Sequence, residues 1–204
     1  MIDLYAAGTS NGMRARIALE ECGLPHTFHP VDLTKGEQKS PSFLAMNPNG
    51  QIPVIVDSDG PGGKPVTLSQ SVAILMYCAE KSGKFLPKDA ATRPAFWQTL
   101  MNAASDMSGI VTAIFNLSRN KEQNAHAIEF FNSMWKRYTK VWDDRLGGQR
   151  YAAGAEITVA DFALYGVIAR MKAAQPQILD GLPNLGRWAD ELALRPAIQR
   201  AMKF

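Results

Sequence analysis

A chain of 204 residues can build one large domain or two small ones, and either can bury a core. With 46% hydrophobic and 20% charged residues it has ordinary globular composition, which excludes disordered, collagen-like and low-complexity classes. A net charge of +3 is too small for the concentrated basic stripe of a nucleic-acid-binding protein, so no nucleic-acid partner is expected.

No apolar run approaches the roughly 18 to 20 residues that cross a bilayer, and the opening MIDLYAAGTSNG carries Asp3 where a leader would be basic. The expectation is a cytoplasmic protein with no membrane partner. Cys22 and Cys78 are too far apart for a CxxC pair, a metal-spaced cluster or a disulfide framework, so no metal is expected. Residues 1–81 hold 6 Lys+Arg against 8 Asp+Glu, whereas 82–204 hold 16 against 11 and all four tryptophans. This shift coincides with the turn-rich KSGKFLPKDAATRP and predicts a linker over 82–93 between domains at 1–81 and 94–204.

In chain order, IDLYA at 2–6 predicts a strand, and Gly8, Thr9, Ser10, Asn11 and Gly12 turn the chain into a helix start. Ile17, Ala18 and Cys22 then repeat at helical spacing, with Arg14, Arg16, Glu20 and Glu21 on other faces, until Gly23 and Pro25 stop the helix. HTFHPV at 26–31 predicts a second strand parallel to the first. IPVIVD and PVTL, joined by the Gly-rich DSDGPGGK, predict a hairpin, after which Ser69, Gln70 and Ser71 can cap a helix carrying Val72, Ile74, Leu75 and Cys78. The order β-α-β, β-β, α is that of a thioredoxin-like domain.

From Pro94 an apolar-periodic stretch runs through Phe96, Trp97, Leu100, Met101, Met107, Ile114 and Phe115, and another from Ile128 through Trp135 and Trp142 to Leu146. Thr158 and Asp161 form a capping pair, and Pro183 and Pro196 open two final helices. The fold class is therefore α/β plus all-α: a thioredoxin-like N-terminal domain followed by an all-helical C-terminal domain.

NPNGQIPVIVD, LSQSVAIL, EITVADFALYG and LPNLGRWADELALRPAIQRAM, in that order, resemble the cytosolic glutathione transferase family over essentially the whole chain. The opening is most similar to the nu-class bacterial glutathione-disulfide oxidoreductases, which use Thr and Asn at the first turn. The resemblance implies glutathione as cosubstrate, a homodimer, and a thiolate of bound glutathione that reduces small disulfides or attacks electrophiles. Thr9, Ser10 and Asn11 are then the catalytic candidates, at a helix N-terminus whose free N–H groups and dipole favour an anion. By residue type alone they read first as a helix cap, and it is the resemblance that turns the preference to catalysis.

The resemblance further implies a cis bond before Pro53 that lets Ile52, next to Gln51, pair with the cysteinyl part of glutathione. It implies Gln70 and Ser71 at the γ-glutamyl carboxylate, Gln38 with Lys35 and Lys39 near the glycyl end, and Asp106 reaching a glutathione across the dimer. Tyr5, a superficial match to tyrosine-type members, is expected to pack in the core. Ser10 stands where β-type members carry a cysteine, so no protein thiol is available there. Phe130 replaces an arginine of the nu-class relatives, which puts the contact to a second glutathione in doubt. The alternative is a transferase-like fold kept as a non-catalytic ligand carrier or assembly module.

Overall fold

The computed structural model describes Met1–Phe204 and divides into two compact units, Met1–Leu86 with Leu194–Phe204, and Pro87–Ala193. In the first, β1 (Ile2–Ala6) leads through a tight loop to α1 (Ser10–Cys22), then β2 (His26–Pro30) and a short α2 (Pro41–Met46). The hairpin β3 (Val54–Asp57) and β4 (Val66–Ser69) precedes α3 (Ser71–Ser82). The sheet order is β2-β1-β3-β4, with β1 parallel to β2 and antiparallel to β3, and β3 antiparallel to β4.

Alternation along β1 explains its two faces. Ile2, Leu4 and Ala6 are buried, while Tyr5 packs from the other side against a cluster of Val31, Phe43 and Val54, joined by Met46 and Ile52. The Phe43 anchor belongs to α2, an element absent from the predicted β-α-β, β-β, α order. Helix α1 packs against α3 through apolar residues that include Ile17, Leu75 and Cys78, all fully buried. Each such aliphatic side chain contributes about 1.5 to 3 kcal/mol by leaving water. At the end of β3, buried Asp57 accepts from Tyr77 Oη (2.6 Å), Lys81 Nζ (2.9 Å) and Asp59 N (3.0 Å). Burial pushes its carboxyl up, but these donors outweigh burial and hold it below the ordinary carboxylate value.

The second unit is helical. Helix α4 (Arg93–Asn102) continues through a π-helical turn at Ala103–Met107 into α5 (Ser108–Arg119), so the single periodic stretch read from Pro94 is two helices joined by a bulge. The long α6 (Ala125–Gly148), α7 (Val159–Ala174) and α8 (Pro183–Ala193) complete it around Phe96, Trp135, Trp142, Phe162 and Trp188. Asp161 closes the predicted capping box with Thr158 and also accepts from Ala152 N (2.7 Å) and Trp188 Nε1 (3.0 Å). Asp143 caps α8 by accepting from Asn184 N (2.8 Å) and Leu185 N (2.9 Å).

The last helix, α9 (Pro196–Ala201), packs on α1. Here the structure departs from a boundary that assigns all of 94–204 to one domain, because Leu194–Phe204 belongs with the first unit. Glu21, buried on α1, accepts a two-pronged bond from Arg195 at 2.6 and 2.5 Å, and Arg200 Nε reaches Glu20 at 2.7 Å. The Arg16 guanidinium lies over the Phe28 ring at 4.4 Å and the Phe204 ring at 5.1 Å. The charges that lie off the apolar stripe of α1 are therefore an interface for the end of the chain.

Candidate active site

At the start of α1 the loop doubles back so tightly that a Cβ on Gly12 would lie 2.0 Å from the Ala7 carbonyl oxygen, which makes glycine obligatory. Thr9 is the N-cap, with extended backbone and Oγ1 accepting from Gly12 N at 3.1 Å. Having accepted there, the Thr9 hydroxyl still carries its proton for donation. Met13 N is taken by Thr9 O (2.9 Å), so the first-turn N–H groups of Ser10 and Asn11 are those left facing outward. Thr9, Ser10 and Asn11 are all half-buried, as befits donors at the rim of a site.

Asn11 is tied from behind. Its Oδ1 accepts from Arg14 Nη1 at 3.0 Å and from Ser71 Oγ at 3.2 Å, a contact that joins the N-termini of α1 and α3. Arg14 is almost wholly buried, and burial lowers its guanidinium pKa to about 9, which leaves it charged at neutral pH.

At the start of α3, Gln70 adopts φ 74°, ψ 110°, a conformation that costs a non-glycine residue about 1 to 3 kcal/mol. It makes no side-chain cap, and the Ser71 hydroxyl proton is spent on Asn11. The expectation that Ser69, Gln70 and Ser71 cap this helix therefore fails: Ser69 ends β4, Gln70 is turned outward, and the first-turn N–H groups of α3 are left without a side-chain acceptor.

The loop before β3 is built on Asn47, whose Nδ2 donates to Gln51 O (2.6 Å) and whose Oδ1 accepts from Asn49 N (3.2 Å). Gly50 has φ 57°, and a Cβ there would meet Lys39 Nζ at 2.8 Å and Gln38 O at 2.9 Å. Gln51 is exposed, Ile52 half-buried, and the Ile52–Pro53 peptide bond is cis. Ile52 lies outside the strand ladder, which begins at Val54.

Gln38 sits in a 3-10 turn with Oε1 buried and without a hydrogen-bond partner, whereas Lys35 pairs with Asp32 (3.2 Å) and Lys39 reaches Asn49 O (3.4 Å). Tyr5 stacks on His29 with ring centroids 4.6 Å apart and packs on the cluster under α2, as the sequence reading expected.

In the second unit, exposed Asp106 lies in the π-helical turn and accepts from Asn102 Nδ2 at 2.8 Å. Phe130 is exposed, its ring edge-on to Phe131. The residues that sequence reasoning missed are Arg14, Asn47, and the steric requirements at Gly12 and Gly50. Asn47 and Gly50 lie inside a motif already singled out, NPNGQIPV, but a lone arginine on a helix carries no such mark.

The models for the glutathione S-transferase N-terminal and C-terminal domains match residues 10–81 and 105–203. The chain belongs to the glutathione S-transferase family. Among its relatives is the disulfide-bond oxidoreductase YfcG of Escherichia coli K12, 34% identical over 99% of this chain and 94% of that one. A solved glutathione transferase family member from Pseudomonas fluorescens, with two glutathione molecules bound, superposes with a TM-score of 0.93 at 32% identity, covering 99% of this chain and 92% of that one. A glutathione transferase from Pseudomonas putida, with one glutathione disulfide bound per subunit, gives 0.92 at 30% identity, covering all of this chain and 91% of that one. The thioredoxin-like unit with a helical unit is thus the glutathione S-transferase fold, and no helix of the chain is long and apolar enough to cross a membrane.

Proposed function

We propose that this family member is an enzyme that uses the thiolate of bound glutathione to reduce small disulfides and, more slowly, to attack electrophilic carbon. The observation that carries this reading is the first turn of α1, where the backbone N–H groups of Ser10 and Asn11, the Thr9 hydroxyl and the Asn11 amide lie together at the positive end of a helix that has no cysteine there. Such donors favour a thiolate over a thiol and so raise the nucleophile's population at neutral pH. The disulfide-bond oxidoreductase among its relatives supports the same chemistry.

The glutathione sulfur attacks one sulfur of the substrate disulfide. A glutathione mixed disulfide forms and the other half leaves as a thiolate that takes a proton from solvent. A second glutathione thiolate attacks the mixed disulfide, yielding glutathione disulfide and the second substrate thiol. The peptide is held by the α3 N-terminus at Gln70 and Ser71 for the γ-glutamyl carboxylate, by the Ile52 backbone beside Gln51 and Pro53 for the cysteinyl part, and by Gln38 for the glycyl end. Because the Ser71 hydroxyl is engaged by Asn11, the carboxylate is served by the Ser71 backbone N–H. A homodimer places Asp106 against the partner's glutathione, and exposed Trp97 and Met101 on α4 supply apolar surface for such an assembly. Cytoplasm is the fitting compartment, since it supplies reduced glutathione.

Turnover of hydroxyethyl disulfide and of an aryl chloride with glutathione, beside calorimetric titration of glutathione, tests the reading. Disulfide reduction should exceed conjugation by at least ten-fold. A protein that binds no glutathione, or one that conjugates without reducing, overturns it.

A further inference from the structure

Two donors converge on one oxygen of Asn11. Arg14 Nη1 approaches Oδ1 at 3.0 Å and Ser71 Oγ at 3.2 Å. A side-chain amide has one acceptor end and one donor end, so a flip would set its NH2 group against both donors and lose both bonds. The acceptor end is therefore fixed inward, and the Nδ2 hydrogens face away from Arg14 and Ser71. Arg14 is suited to hold this geometry because it is 1% exposed, lies three residues on along the same helix, and presents a rigid planar group. Ser71 alone could not hold it, since its hydroxyl rotates and can exchange Asn11 for another acceptor.

We propose that Arg14 is the positioning residue of this site: with Ser71 it holds Asn11 Oδ1, so that Asn11 Nδ2 is presented as the side-chain donor to the glutathione sulfur. This rests on the proposed function, and it singles out Asn11 from the three candidates at the turn. While Oγ1 caps α1 through Gly12, the Thr9 hydroxyl proton keeps its freedom to rotate, and Ser10 has no comparable anchor, so Asn11 is the one whose donor end is held in a single direction. Arg14 does not touch the sulfur in this scheme. It acts through Asn11, so its loss should be felt where the thiolate is stabilised and little where the peptide is held.

Three variants test this. Arg14→Met keeps most of the side-chain volume and removes the donor, while Ser71 Oγ still serves Asn11 Oδ1. It should bind glutathione within three-fold of the parent, lower kcat about ten-fold with KM within three-fold, and raise the thiol pKa of bound glutathione, read by thiolate absorbance, by about one unit. Arg14→Lys should recover at least a third of the lost kcat, because it restores a charged donor. Asn11→Asp keeps an oxygen for both donors and so should fold, yet it offers no N–H to the sulfur and should fall at least as far as Arg14→Met.

Parental kcat and thiol pKa in folded Arg14→Met overturn the proposal. So do parental values in Asn11→Asp, which decides the matter even if Arg14→Met fails to fold. If the parent itself binds no glutathione, the proposed function is what fails.

Discussion

Cys22 and Cys78 lie in α1 and α3 with their thiols out of water, and burial pushes both pKa values up. A protein thiol held neutral and inaccessible is a poor nucleophile, so the sulfur that reacts must come from glutathione. The double variant Cys22→Ala with Cys78→Ala should therefore keep disulfide reduction within two-fold of the parent while losing about 1 to 3 kcal/mol of stability from the emptied volume. Loss of reductase activity in a variant that still folds would point to a protein thiol.

At this scale what was legible is the helix start itself, where Thr9 caps α1 and Ser10 and Asn11 form its first turn. The burial of Arg14 was not legible. An arginine placed with Arg16, Glu20 and Glu21 off the apolar stripe gives no sign of burial, which comes with the packing of α1 against α3, far away in the sequence, that no local periodicity reveals.

Asp161 shows the same division for an element. The Thr-Val-Ala-Asp pattern predicts a capping box, and the structure contains it: Thr158 N donates to Asp161 Oδ2 at 2.9 Å. The other carboxylate oxygen accepts from Ala152 N and Trp188 Nε1, so a single side chain ties the start of α7 to the preceding loop and to α8. Those bonds come from chain folding and leave no trace in a four-residue motif. Asp161→Ala strands four buried donors, the Ala152 and Thr158 N–H groups, the Trp188 indole and the Thr158 hydroxyl, at about 1 kcal/mol or more each, less what water and rotation of the hydroxyl recover, for an expected loss of about 3 to 5 kcal/mol in urea unfolding. Asp161→Asn, which keeps one oxygen acceptor, should lose about half as much. A loss below about 1 kcal/mol in Asp161→Ala would show that the carboxylate is not holding these elements. The α3 start failed where α7 succeeded, because Gln70 and Ser71 face other demands, a left-handed backbone and a bond to Asn11, that override local capping preference.

For the whole molecule, the composition shift near residue 82 marks a change along the chain, whereas the second compact unit begins at Pro87 and the chain returns to the first, which a composition shift cannot show. Leu194–Phe204 comes back to α1, burying Ile198 and Ala201 and pairing Arg195 with Glu21 and Arg200 with Glu20. The Arg195 pair matters most. Glu21 is 9% exposed, and removing the partner of a buried charge costs about 3 to 5 kcal/mol, whereas the exposed Arg200 contact contributes about 0 to 1 kcal/mol. Burial of Ile198 contributes a further 1.5 to 3 kcal/mol or so. A chain ending at Ala193 should then lose about 5 to 8 kcal/mol, and at roughly 2 to 4 °C per kcal/mol for a protein of this size its melting temperature should fall by at least about 10 °C. Since α1 carries the turn of Thr9, Ser10 and Asn11 and Arg14 behind it, kcat should fall with it. Arg195→Met should reproduce more than half of the loss, because an apolar residue leaves Glu21 unpaired while keeping the packing of α9. A truncated protein that melts within about 3 °C of the parent would mean that the returning segment is an appendage and that the first unit is complete without it.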